Sequence, residues 1–169
     1  MTQPFARRIA PAIAAAALVA GCTFTVTSDP TSYPVPSGEV PALPQGATVD
    51  VVNGYASPSM APMGGNLQCD LRQFTDTAVT LVRGELAKKG IAAGPDRKVV
   101  LRVVGPMWSQ GFGFVRGVVT IEAQLGAKVV NATGEARGTD ATRDFNSALT
   151  NAVTDLLKKP EFAAYLAGH

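Results

Sequence analysis

Val119-Thr120-Ile121-Glu122-Ala123-Gln124-Leu125 alternates apolar and polar side chains without a break. Successive side chains of a strand point to opposite faces, so a period of two marks a sheet with one buried and one wetter face. Val119, Ile121, Ala123 and Leu125 take the buried face, and Thr120, Glu122 and Gln124 the other. The stretch around them, Phe114 to Val130, reads as one long strand or a bent pair. Asn131-Ala132-Thr133-Gly134 follows as a hairpin-turn signal. Glu135 to Phe145 then reads as a polar returning strand at a sheet edge.

Working upstream, Lys98 to Gly105 is a strand with Val99, Leu101 and Val103 on one face, and Thr48 to Tyr55 is another, closed by Asn53-Gly54. Ala56 to Asn66 holds Pro58, Pro62, Gly64 and Gly65 and reads as a loop. Between the strands, Asp70 to Lys89 carries Leu71, Phe74, Ala78, Leu81, Val82 and Leu86 at helical spacing. Asp70 with Gln73 forms a capping box, and Gly90 ends the helix behind Lys88 and Lys89. Downstream, Ser147 to Lys159 is a helix with Leu149, Val153, Leu156 and Leu157 inward. Pro160 starts a further turn through Phe162 and Leu166. The order β-α-β-β-β-α predicts an α+β fold: a two-layer sandwich with a mostly antiparallel sheet and two helices on one face.

The chain has 169 residues, 46% hydrophobic and 17% charged, which is room for one domain. Arg7 and Arg8 precede Ile9–Ala20, an almost wholly apolar run of about 12 residues, short of the ~20 that span a bilayer. Residues 1–21 therefore read as an export signal. Val19-Ala20-Gly21-Cys22 behind that run resembles the lipobox of bacterial lipoproteins. The resemblance implies a diacylglyceryl group on the Cys22 thiol, cleavage before Cys22 and acylation of its amine. Two or three acyl chains on one residue anchor a protein stably. Thr23, where an Asp would favour inner-membrane retention, points to the outer membrane facing the periplasm, with the inner membrane as the alternative. Residues 22–47 hold five prolines and many Thr and Ser, and read as an extended tether below a domain at 48–169; the alternative is that part of it packs on the domain as an irregular strand through Phe24, Val26 and Tyr33.

The lipobox, the tether, the β-α unit, Thr133-Gly134-Glu135 and the ending Leu156-Leu157-Lys158-Lys159-Pro160-Glu161-Phe162 together resemble small periplasmic lipoproteins of the YajG type. The layout is also similar to that of the penicillin-binding-protein activator lipoproteins and of the lipopolysaccharide-assembly lipoproteins.

The composition argues against several chemistries. Lys and Arg number 15 against 13 Asp and Glu. Without Arg7 and Arg8 the counts are equal, so no basic nucleic-acid footprint is expected. The single His, His169, sits at the last position, where it cannot hold a catalytic geometry. Cys69, Asp70 and Asp76 lack zinc-ligand spacing. Gly111-Phe112-Gly113-Phe114-Val115-Arg116-Gly117 misses the dinucleotide spacing by one residue, and no helix follows. Asp140 and Asp144, beside Arg137 and Arg143, read as a solvated charged strand. No catalytic residue, cofactor or metal is therefore expected.

Two features remain. Cys69 has no intramolecular partner once Cys22 is lipidated; it is either a buried small apolar residue or a surface thiol open to an intermolecular disulfide. Trp108, Phe112 and Phe114 lie on a Gly-rich stretch that reads as a partner-binding loop, with Trp108 partly exposed, or as a hairpin tip folded back over the core. The reading is a non-enzymatic envelope lipoprotein that binds a protein partner. The alternative is a carrier or chaperone of an amphiphilic envelope molecule, a lipid or glycolipid. Homo-oligomerisation stays open.

Overall fold

A computed structural model describes residues 23–36, 38–111 and 113–168. The signal segment 1–21, Cys22, Phe112 and His169 lie outside them. The chain order is β1 (Phe24–Val26), β2 (Val49–Asn53), β3 (Met60–Gly64), β4 (Leu67–Asp70), α1 (Leu71–Lys88), β5 (Arg97–Gly111), β6 (Phe114–Leu125), β7 (Lys128–Gly138), α2 (Ala141–Lys158) and α3 (Pro160–Ala167). The main sheet runs β2-β5-β6-β7, with β2 parallel to β5 and the other pairs antiparallel. Its elements keep the expected β-α-β-β-β-α order, and the fold is an α+β sandwich. A second sheet, β1-β4-β3, is added beside it.

The alternation drives the packing. Val51, Val99, Leu101, Val103, Val119, Ile121 and Ala123 are all fully buried, and α1 and α2 lie over them. Phe74, Ala78 and Val82 of α1 meet Phe145, Leu149, Val153 and Leu156 of α2 in one core. Asp70 caps α1 by accepting from the amides of Arg72 and Ser59, both at 2.9 Å, rather than through Gln73. At the other end Gly90 takes φ +80, which lets its amide reach the Ala87 carbonyl and the Ile91 amide reach that of Leu86.

Three elements differ from the sequence-based expectation. Ala56–Asn66 is not a loop: it holds β3, and a turn at Gly65-Asn66 leads into β4. Asn131–Gly134 is no turn, because these residues run through the middle of β7, opposite Glu122 to Val119. The turn falls at Gly126-Ala127, where Gly126 has φ +62. Gly134 is small for another reason: a Cβ there would overlap the Ala148 carbonyl oxygen and the Ala152 amide nitrogen of α2. The polar strand expected over Glu135–Phe145 ends at Gly138, and α2 begins at Ala141, six residues before Ser147. Asp140 caps it by accepting the Arg143 amide at 2.9 Å. Asp144, expected to be solvated, is instead 2% exposed.

The expected tether is a strap packed on the domain. Val26, Val35, Val40 and Leu43 are buried. The Ser28 hydroxyl lies 2.7 Å from that of Thr77, the Thr150 hydroxyl donates to the Tyr33 carbonyl, and Lys89 Nζ donates to the Val40 carbonyl. Prolines keep this stretch out of regular structure, but its spaced apolar residues and free backbone carbonyls find partners on the helices.

Candidate functional site

β5 carries the feature that decides which side chains are displayed. Gly105 and Pro106 stand together opposite Val119 alone, a bulge made possible by φ +59 at Gly105. Strict alternation from Val99, Leu101 and Val103 would turn Met107 inward. The extra residue reverses the parity, so Met107 pairs with Val118 on the open face and Trp108 turns to the other side.

The open face of the β5-β6-β7 end is built from cross-strand partners. Met107 faces Val118, Val118 faces Glu135, Ser109 faces Arg116, and Arg116 faces Arg137. Met107 is 64% and Phe114 41% exposed. The Arg137 guanidinium lies 5.7 Å from the centre of the Phe114 ring, within cation–π range. Arg116 Nη2 donates to Glu135 Oε2 at 2.6 Å, and Arg137 Nε donates to Oε1 at 2.9 Å. These two bonds, Arg116 first, hold the Glu135 carboxyl below its ordinary range, and Glu135 in turn raises the Arg116 guanidinium. The result is an ordered, solvent-facing patch of Met, Phe, Val and two Arg fixed by one carboxylate. Thr120, Thr133 and Glu122 continue the face with polar groups.

The residues singled out from the sequence separate. Phe114 lies on this patch. Trp108 lies on the opposite side, partly buried and packed on the core beneath the β3–β4 turn. A Cβ on Gly65 would meet its ring at 3.2 Å, and one on Gly64 would meet its backbone carbonyl. Its indole N–H is buried without an acceptor among the described residues. The expected binding loop is therefore a strand pair in which the Trp supports the small sheet. The sequence does not single out Met107, Arg116 and Arg137, because Pro106 to Gly113 reads as a Gly-aromatic loop and only the β5-β6-β7 register brings the three to one face. Gly105-Pro106 in an otherwise regular strand is the signal that marks the bulge.

Cys69 is wholly buried in β4, beside Val26. Burial, with Asp70 adjacent, pushes its thiol up to about 12, so it is an apolar core residue and not an accessible thiol. The described residues include no group of three His, Cys, Asp or Glu side chains placed to hold a metal. No helix among them is long and apolar enough to cross a membrane. The clefts beside the strap are shallow. One, lined by Pro30, Pro34, Val35, Leu81, Gly84 and Glu85, holds about 210 Å³, below the ~300–1,000 Å³ usual for ligand pockets. Comparison of the chain with protein-family models, with curated proteins and with solved structures gives no match.

Proposed function

We propose that this chain is a bacterial envelope lipoprotein, anchored through Cys22, whose domain works without catalysis by binding a protein partner on its open sheet face. The outer membrane, with the domain facing the periplasm, is the proposed location. The observation that carries the binding role is the Met107–Phe114–Arg116–Val118–Arg137 patch. Methionine, aromatic and Arg side chains are the types enriched at protein interfaces, and here they are displayed on a rigid sheet. Because Glu135 already orients both guanidinium groups, little conformational entropy remains to be lost on binding.

The test places a photocrosslinking amino acid at position 107 or 114 in the full chain in membranes, with position 76 on the exposed side of α1 as control. The expected result is one discrete adduct from 107 and 114 and none from 76. With the photocrosslinking amino acid at 114, Met107→Asp with Arg137→Glu should remove the adduct and leave the melting temperature within a few degrees of the parent. Equal labelling from all three positions, or an adduct untouched by the double substitution, would overturn the assignment.

A further inference from the structure

Asn53 and Gly54 close β2, and the fold holds each for a separate reason. Asn53 Nδ2 donates to the Arg72 carbonyl at 3.0 Å and to Asp76 Oδ1 at 2.7 Å, while its Oδ1 accepts the Tyr55 amide at 2.8 Å. The carboxamide thus ties the end of β2 to the first turns of α1 and to the chain that follows. Gly54 donates its N–H to the Leu101 carbonyl at 2.8 Å, and its own carbonyl accepts from Arg102 Nε. A Cβ on Gly54 would meet the Arg102 side chain at 2.6 Å and the Leu101 carbonyl oxygen at 3.1 Å. An amide side chain fits the first position, and the smallest residue fits the second.

Together they make a chemically labile pair. In Asn-Gly the backbone nitrogen of the glycine can attack the Asn side-chain carbonyl carbon. The new C–N bond closes a cyclic succinimide, the side-chain nitrogen leaves as ammonia with the glycine proton, and water then opens the ring to aspartate or isoaspartate. Glycine favours the attack because no side chain shields its nitrogen and its backbone turns freely. The folded chain withholds each requirement. The Gly54 N–H is engaged by Leu101, which opposes loss of its proton. Rotating the peptide plane between Asn53 and Gly54 toward the side chain breaks that same bond. The Asn53 carboxamide, bonded through both its nitrogen and its oxygen, is not free to swing toward the nitrogen.

We propose that Asn53 is a modification site silenced by the folded β2–α1 junction: it deamidates when that junction opens, and the product does not re-form it. The second half follows from the partners of Asn53. The Arg72 carbonyl and Asp76 Oδ1 both accept from its Nδ2, and an ionised aspartate has no hydrogen to offer either. A carboxylate at position 53 would instead face Asp76 with like charge, while Arg102 is already directed at the Gly54 carbonyl. Isoaspartate adds a main-chain carbon between positions 53 and 54, which carries the Gly54 N–H off its Leu101 acceptor. Because ammonia is lost, the step is one-way. Each opening of the junction therefore exposes the chain to an irreversible exit from the folding equilibrium.

The experiment incubates the full chain at mildly alkaline pH, either folded or in urea, and maps its peptides by mass spectrometry, separating the Asn, aspartate and isoaspartate forms at each site. Asn131, exposed on β7 and followed by Ala132, is the internal control. In urea Asn53 is expected to convert before Asn131. In the folded chain its conversion should be slower than in urea by about tenfold or more, because reaction then waits on local opening. Chains converted at Asn53 in urea should refold to a state that melts several degrees below the parent, or fail to refold, and Asn53→Asp made directly should be destabilised in the same sense. Conversion of Asn131 ahead of Asn53 in urea would overturn the labile pair itself. A folded-state rate at Asn53 within about tenfold of the rate in urea would overturn the silencing. Recovery of the parent melting temperature by the converted chains would overturn the one-way step.

Discussion

Asn146 of α2 accepts the backbone N–H of Asp29 at 2.9 Å, although 117 residues separate them. Its Nδ2 donates to the Thr27 carbonyl at 3.0 Å and to the Thr142 carbonyl at 2.8 Å. One side chain, 2% exposed, thus satisfies two backbone groups of the strap and one of its own helix. Asn146→Leu should leave the Asp29 amide and the Thr27 carbonyl without a partner. Each lost buried bond costs about 1 kcal/mol or more, so the strap should open well before the domain melts. Limited proteolysis should then cut between residues 27 and 43 in the variant and not in the parent. Equal resistance of the two would show that the apolar contacts of Val35, Val40 and Leu43 suffice.

Asp144 makes stability depend on pH. Burial raises its carboxyl above the ordinary 3.8, with Arg143 at 3.9 Å only partly opposing this, and Oδ2 has no partner among the described residues. The folded state therefore holds the proton more tightly than the unfolded chain. Its contribution is most favourable below the unfolded value and declines as pH rises through the folded one. Asp144→Asn should be at least as stable as the parent at pH 7, and the difference should shrink towards zero as pH falls below 4. A variant less stable than the parent at pH 7 would mean that the ionised carboxylate is stabilising.

Gly134→Ala should be among the most damaging small substitutions. Its new methyl group would overlap the α2 backbone at Ala148 and Ala152, which no rotamer change relieves. Overpacking of this kind costs about 3 kcal/mol. Gly117→Ala, also under α2, meets the Asp144 carbonyl and Phe145 ring at an ordinary 3.4 Å and should cost about 1 kcal/mol or less. Urea unfolding of the pair checks the ranking.

Trp108→Ala should lower stability by about 2–3 kcal/mol, since the ring packs on the core and supports the β3–β4 turn at Gly65. Trp108→Phe removes the buried N–H that lacks an acceptor among the described residues and should lie within about 1 kcal/mol of the parent. If thermal melting instead shows Trp108→Ala unchanged while crosslinking from position 107 is lost, the indole serves the partner and not the fold.

The residues alone determined the α+β class, the order of the main-sheet elements and the inward faces of Val99–Val103, of Val119–Leu125 and of the two long helices, because those depend on local periodicity. Val119 to Leu125 and the stripe from Leu71 to Leu86 carry that information within a few turns of chain. Whether Gly134 marks a turn or a close helix approach could not be read locally, since the group that excludes its Cβ lies on another element. Met107 and Trp108 exchanged faces for the same kind of reason: a bulge is defined by what stands across the ladder, here Val119 alone against Gly105 and Pro106. The Pro-rich segment reads as mobile from composition because few of its residues are apolar. Only the folded helices supply the acceptor of Asn146, the hydroxyl groups of Thr77 and Thr150 and the ammonium of Lys89 that hold it, and hydrogen bonds to groups so distant in sequence exist only once the core has formed.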